Sequence, residues 1–146
     1  VEKDPNNPIL HFTIGSNYDR LSLDTSVAEA EKESMLAEAE KAYLKAIELK
    51  PDYFDAYYNL GALFFNKGVE VFEFANSIPP DQFDAYEKAK AKYMEYWNKS
   101  VPYLEKASEL MPDDLPTLQA LKSLYARLNM PEKLKVVTDK INTLKK

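Results

Sequence analysis

One four-point pattern occurs twice in this chain at the same spacing. Ala39, Tyr43, Ala46 and Pro51 follow one another in steps of four, three and five residues, and Ser100, Leu104, Ala107 and Pro112 repeat those steps. Steps of four and three return to one side of an α-helix. Small residues there let a second backbone come close, and the proline stops the helix behind it. A chain written this way is constrained to fold as helices packed against helices.

The rest of the sequence agrees. Polar clusters and prolines cut it into segments, and none shows a strand's period of two. A helix is expected from about Pro8 to Leu23. Asp24-Thr25-Ser26 breaks it, and Ser26 with Glu29 fits a capping box that would start the next helix, running to Lys50. A third begins near Tyr53 and carries Tyr57, Leu60, Gly61, Phe64, Gly68, Val71, Phe72 and Ala75 at helical spacing. Ser77-Ile78-Pro79-Pro80-Asp81 reads as a turn. A fourth helix follows with Phe83, Tyr86, Tyr93, Trp97, Leu104 and Met111 and ends at Pro112. Two shorter helices, about Leu115–Leu128 and Pro131–Leu144, complete the chain. Pro131 suits a first helical position.

Composition removes several classes of function. The formal charge of −5 disfavours nucleic acid, which calls for a basic face. Without cysteine there is no disulfide or thiolate metal site, and one histidine, His11, makes a zinc site untenable. Nothing approaches the apolar length of a membrane span. His11 has no nominated nucleophile or acid beside it and reads as a packing or surface residue. The carboxylates Glu29, Glu31, Glu33, Glu38 and Glu40 lie among alanines and read as a solvated helix face. No phosphate-binding glycine loop is present. The expectation is a chain with no catalytic residues, no metal and no cofactor.

The repeated pattern resembles the tetratricopeptide repeat (TPR), a helix–turn–helix unit of about 34 residues. Ala56-Tyr57-Tyr58-Asn59-Leu60-Gly61 resembles its first-helix signature, with Phe64 and Gly68 following as the family's aromatic and glycine do. Ala39–Pro51 resembles its second helix. Asp4-Pro5-Asn6-Asn7 resembles a repeat boundary, and Ile14-Gly15 with Tyr18 another first helix. The resemblance implies an all-α TPR-like superhelix of about three repeats, near residues 8–51, 53–112 and 115–145, forming a single domain over 1–146. The chain begins with valine, so it is expected to be the C-terminal part of a longer protein. Lengthened repeats of this kind resemble those of bacterial TPR proteins, some of them exported. The compartment stays open between periplasm or exterior and, outside bacteria, cytoplasm.

The departures from the family spacing carry their own expectation. Nineteen positions separate the first-helix glycine from the second-helix alanine in a standard repeat. Here 31 separate Gly15 from Ala46 and 46 separate Gly61 from Ala107, while Lys122 and Ile141 keep the standard distance. The first two repeats should therefore have elongated helical hairpins, the second longer by roughly 20 Å at ~1.5 Å per residue. Phe72, Phe74, Phe83, Tyr86 and Tyr93 are expected to hold it together. Gly68 and Pro102 would then lie inside helices; the alternative is a helix that ends at Gly68. The last helix, with five lysines beside Val136, Val137, Ile141 and Leu144, reads as a solvating cap.

Members of the family bind a protein or peptide in a concave groove lined by first helices. The resemblance places Phe12, Ser16, Asp19 and Arg20 there from the first repeat, and Tyr58, Asn59, Ala62, Phe65 and Asn66 from the second. The third supplies Gln119, Ser123 and Arg127. Aromatic rings, amides and arginines suit an extended peptide. The clamp of chaperone-tail-binding members is not matched: Phe12, Ser16, Asn59, Pro116 and Ala120 occupy its positions, and only Asn59 fits. The competing reading is a structural or self-assembly module, whose exposed first-helix face is covered by upstream repeats or a second copy.

Overall fold

The computed structural model describes residues 4–146. It contains six helices: α1 (Pro8–Leu21), α2 (Glu29–Leu49), α3 (Phe54–Asn76), α4 (Phe83–Leu110), α5 (Leu115–Arg127) and α6 (Pro131–Leu144). No strand occurs among the described residues. The chain divides into two compact units, one ending at Leu60 and the other comprising Gly61–Lys146.

In the first unit α1 packs against α2. Asn7 caps α1, its side-chain oxygen accepting from the Ile9 amide at 3.0 Å, and Pro8 takes the first helical position. Gly15 is the contact point. A Cβ there would stand 2.7 Å from Tyr43 Cδ1, so only glycine admits the Tyr43 ring. Tyr43, Ala39, Ala42 and Ala46 are buried along the facing side of α2, and Ala56 and Leu60 complete the core. This is the four-three spacing of the sequence pattern realised as a packed face.

The start of α2 differs from expectation. Ser26 does not cap it. Its amide and hydroxyl both donate to Asp24 Oδ1, at 2.9 and 2.7 Å. Asp24 thus closes a local turn that competes with the capping box, and α2 begins at Glu29 behind Ala28, with no side-chain cap. The extra length of this hairpin is carried by the 21 residues of α2 and the 22–28 connection.

In the second unit α3 and α4 form the lengthened pair, with 23 and 28 residues to their helices. α3 runs through Gly68 without a break. The reason is Trp97. A Cβ on residue 68 would overlap Nε1 and Cδ1 of the indole, so glycine is what lets Trp97 lie against α3. Ser100 locks the same pair from below, its buried hydroxyl donating to the Gly61 carbonyl at 2.6 Å. Of the rings expected to hold the hairpin, Phe72 and Tyr93 do so, 5.3 Å apart edge to face, and both contact Trp97. Tyr86 is half-buried. Phe74 and Phe83 do not join; they remain 62% and 66% exposed beside the 77–81 turn, where neither helix continues far enough to cover them.

α4 packs on α5, and α5 on α6. Asp114 caps α5, accepting from the Thr117 amide and hydroxyl. At its other end Asn129 adopts φ +55°, the Met130 amide reaches Tyr125 O and the Asn129 amide reaches Ala126 O. These two bonds are a Schellman stop with asparagine in the left-handed position, and they turn the chain into α6 within three residues.

Candidate functional site

Twelve residues were expected to face a ligand, and each unit holds six. In the first unit four of them converge on Tyr43. Its hydroxyl donates to Asp19 Oδ2 at 3.2 Å and receives a bond from Asn59 Nδ2 at 3.4 Å. Ser16 is a further hydrogen-bond partner of the same hydroxyl. The Phe12 ring lies 5.8 Å from that of Tyr43 and 5.2 Å from that of Tyr53. Burial pushes Tyr43 ionisation well up, and the neighbouring Asp19 charge adds to it. Burial also raises Asp19, against the hydrogen bond from Tyr43. Phe12, Ser16 and Asn59 are therefore half-buried and already engaged with one tyrosine. Tyr58 stands apart from this cluster, stacked on Phe54 at 6.0 Å. Arg20 is exposed, with no ion pair among the described residues.

In the second unit the candidates gather near Trp97, which is buried and donates through Nε1 to the Phe65 carbonyl at 3.2 Å. Phe72 and Tyr93 pack on the indole at 5.7 and 4.9 Å. Over this aromatic cluster stands Arg127, from the last turn of α5. Its guanidinium carbon is 5.0 Å from the Trp97 ring, 5.5 Å from Phe72 and 5.8 Å from Phe65. Each distance is within cation–π range. Phe65 and Arg127, two candidates from two helices, are thus brought together. Gln119 and Ser123 precede Arg127 on α5 at four-residue steps and are exposed and half-buried; Asn66 is exposed. Another side of α5 is occupied differently. Tyr125 donates to Glu105 Oε2 at 2.7 Å, and Lys133 reaches the same oxygen at 2.9 Å.

The sequence reading did not foresee the ring platform beneath Arg127. Trp97 and Phe72 read as packing residues, and they are; the cation on top depends on three helices meeting. The one available signal was Gly68, a costly residue inside a helix, which marks where the indole approaches.

Two surface grooves lie elsewhere. One of about 600 Å³ runs between α1 and α2 beside His11, Ile14 and Leu44; another of about 430 Å³ is lined by Leu118, Tyr125 and Val136. Neither includes a candidate residue. His11 lies on the rim of the first, its Nε2 donating to the Pro5 carbonyl at 2.8 Å. Among the described residues no group of histidine, aspartate and glutamate is placed to hold a metal, and no helix is long and apolar enough to cross a membrane.

Antiparallel helical hairpins of this build define a helical-repeat protein. Residues 35–68 match the family model described as TPR repeat. That segment runs from within α2, across the turn after Lys50, to Gly68 in α3. Over those residues the chain is similar to one TPR repeat. No curated protein matches it.

Proposed function

We propose that this chain is a non-catalytic binding module that holds a protein or peptide segment on the first-helix faces of its repeats. TPR repeats are protein-interaction scaffolds as a class, and the repeat over 35–68 supports that much directly. The finer assignment names Phe12, Ser16, Arg20, Tyr58 and Asn59 in the first unit. In the second it names Phe65, Asn66, Gln119, Ser123 and Arg127. The observation that carries it is the meeting of Phe65 and Arg127, 5.8 Å apart, at a partly exposed aromatic surface. Aromatic rings and arginine are the residue types that dominate binding energy at protein interfaces. Within the first unit, Tyr58 and Arg20 are the candidates not tied to Tyr43, so they rather than Phe12 or Ser16 should contribute contact energy there.

The test is affinity capture with the intact chain, followed by calorimetry on the captured partner. Tyr58→Ala and Phe65→Ala should each weaken binding about tenfold or more, the scale of an interface hot spot. Circular dichroism and a urea midpoint close to the parent's would show that the fold survives. A partner that binds both variants at parental affinity sinks this assignment.

A further inference from the structure

The guanidinium of Arg127 lies over three rings and has no hydrogen-bond or ion-pair partner among the described residues. Nine lysines of the described residues stand in ion pairs, Lys106 with Glu109 and Lys140 with Asp113 among them. Arg127 stands in none and makes no hydrogen bond. It is also no ordinary solvated charge. Phe65, Phe72 and Trp97 fix its position, the indole is anchored in turn to the Phe65 carbonyl, and Gly68 clears the space for that indole. A guanidinium carries five N–H donors in a rigid plane and matches a carboxylate with two parallel bonds. Mounting it on rings removes much of the rotamer entropy that a free arginine would lose on binding.

From this geometry we infer that Arg127 is a carboxylate receptor, and that the segment bound on the second unit places an Asp or Glu side chain on it beside an apolar residue against Phe65. The inference rests on the binding-module reading above and adds the chemistry of the ligand. A side-chain carboxylate fits better than a chain terminus, because the positions at which chaperone-tail-binding members clamp a terminus hold Phe12, Ser16, Asn59, Pro116 and Ala120 here, and only Asn59 among them fits. It fits better than a phosphate, which calls for a cluster of cations; Arg127 is a single cation over rings, in a chain of net charge −5. The apolar neighbour follows from Phe65 and Phe72, whose partly exposed surfaces adjoin the charge.

The experiment is selection of a split-pool synthetic decapeptide library with amidated C-termini on the immobilised intact chain. Peptides retained by the parent should be enriched in Asp or Glu next to an aliphatic or aromatic residue. The enrichment should vanish on Arg127→Met, which keeps an apolar stem over the rings, and persist on Lys122→Ala, which removes a charge from the same helix. A selected acidic peptide should bind Arg127→Met ten- to a hundredfold more weakly, the range for a charge-assisted hydrogen bond. Arg127→Lys should fall between, since it keeps the charge and loses the fork. Because Trp97 is the only tryptophan, its emission should change on titrating that peptide into the parent. Should Arg127→Met unfold, the Arg127→Lys affinity and the Trp97 response decide. Retained peptides with no acidic preference, or a preference that survives Arg127→Met, would overturn the carboxylate assignment alone. A library from which nothing is retained would overturn the binding-module reading with it.

Discussion

At the scale of single residues, the informative positions are those where a helix gives up its own stability to let a ring in. Gly68 lies inside α3, where glycine is about 1 kcal/mol worse than alanine. On propensity alone Gly68→Ala should stabilise the protein. The structure reverses the sign. The added methyl would overlap the Trp97 indole, and that ring cannot yield freely, because its Nε1 is bonded to the Phe65 carbonyl and its faces are packed by Phe72 and Tyr93. Overpacking of this kind costs about 1–3 kcal/mol. Urea unfolding of Gly68→Ala should therefore show a net loss of roughly 1–2 kcal/mol after the propensity gain. A variant as stable as the parent, or more so, would mean that α3 and Trp97 are less closely packed than described. The same residue explains why the ring platform under Arg127 was only half legible in the sequence. A glycine at a helical position announces a close approach, but not which side chain approaches, nor that Arg127 lies over that ring.

At the scale of elements, periodicity located every helix, and local chemistry decided the details. Pro51, Pro112 and Pro131 mark boundaries that the structure keeps, because a missing N–H and a fixed φ act through the backbone alone. Ser26 misled because capping is a competition, and Asp24 is two residues away with a carboxylate that satisfies it first. Phe74 and Phe83 misled because spacing shows which face a ring is on and not whether a partner reaches it. Pro102 is the unresolved conflict within α4. It is exposed, it removes the amide that would bond the Asn98 carbonyl, and its ring crowds that carbonyl. Pro102→Ala restores a donor and a good helix former. Against that it frees the unfolded chain, worth about 0.4–1 kcal/mol. The expected balance is a gain of about 1–2 kcal/mol, below the full ~3 kcal/mol propensity difference. A urea midpoint that stays put or falls would show that α4 needs the proline for its packing.

At the scale of the whole molecule, the chain is acidic and rich in tyrosine, and the second property governs its behaviour at high pH. Tyr43, Tyr53, Tyr93 and Tyr125 resist ionisation in the fold. In the first unit these are Tyr43 and Tyr53, raised by burial and then by the charges of Asp19 and Asp55 respectively. In the second they are Tyr93, raised by burial and by its hydrogen bond with Tyr86, and Tyr125, raised by burial and by its bond to Glu105. All four shifts have one sign, so they add. An unfolded chain loses these protons near the ordinary phenol value of about 10, while the folded chain keeps them to higher pH. Between those points the native state binds more protons than the unfolded state, and stability falls as pH rises. The contribution is fully present below pH ~10 and is lost progressively above it. Absorbance at 295 nm should show a fraction of the tyrosines titrating late, then ionising together as the helical signal collapses. In 6 M guanidinium all ten should titrate as one class. Tyr125→Phe should lessen the steepness of the alkaline fall, because a ring that cannot ionise no longer contributes to it. A folded protein whose tyrosines all titrate near 10, with helicity unaffected, would contradict the burial of Tyr43 and Tyr125 on which both units rest.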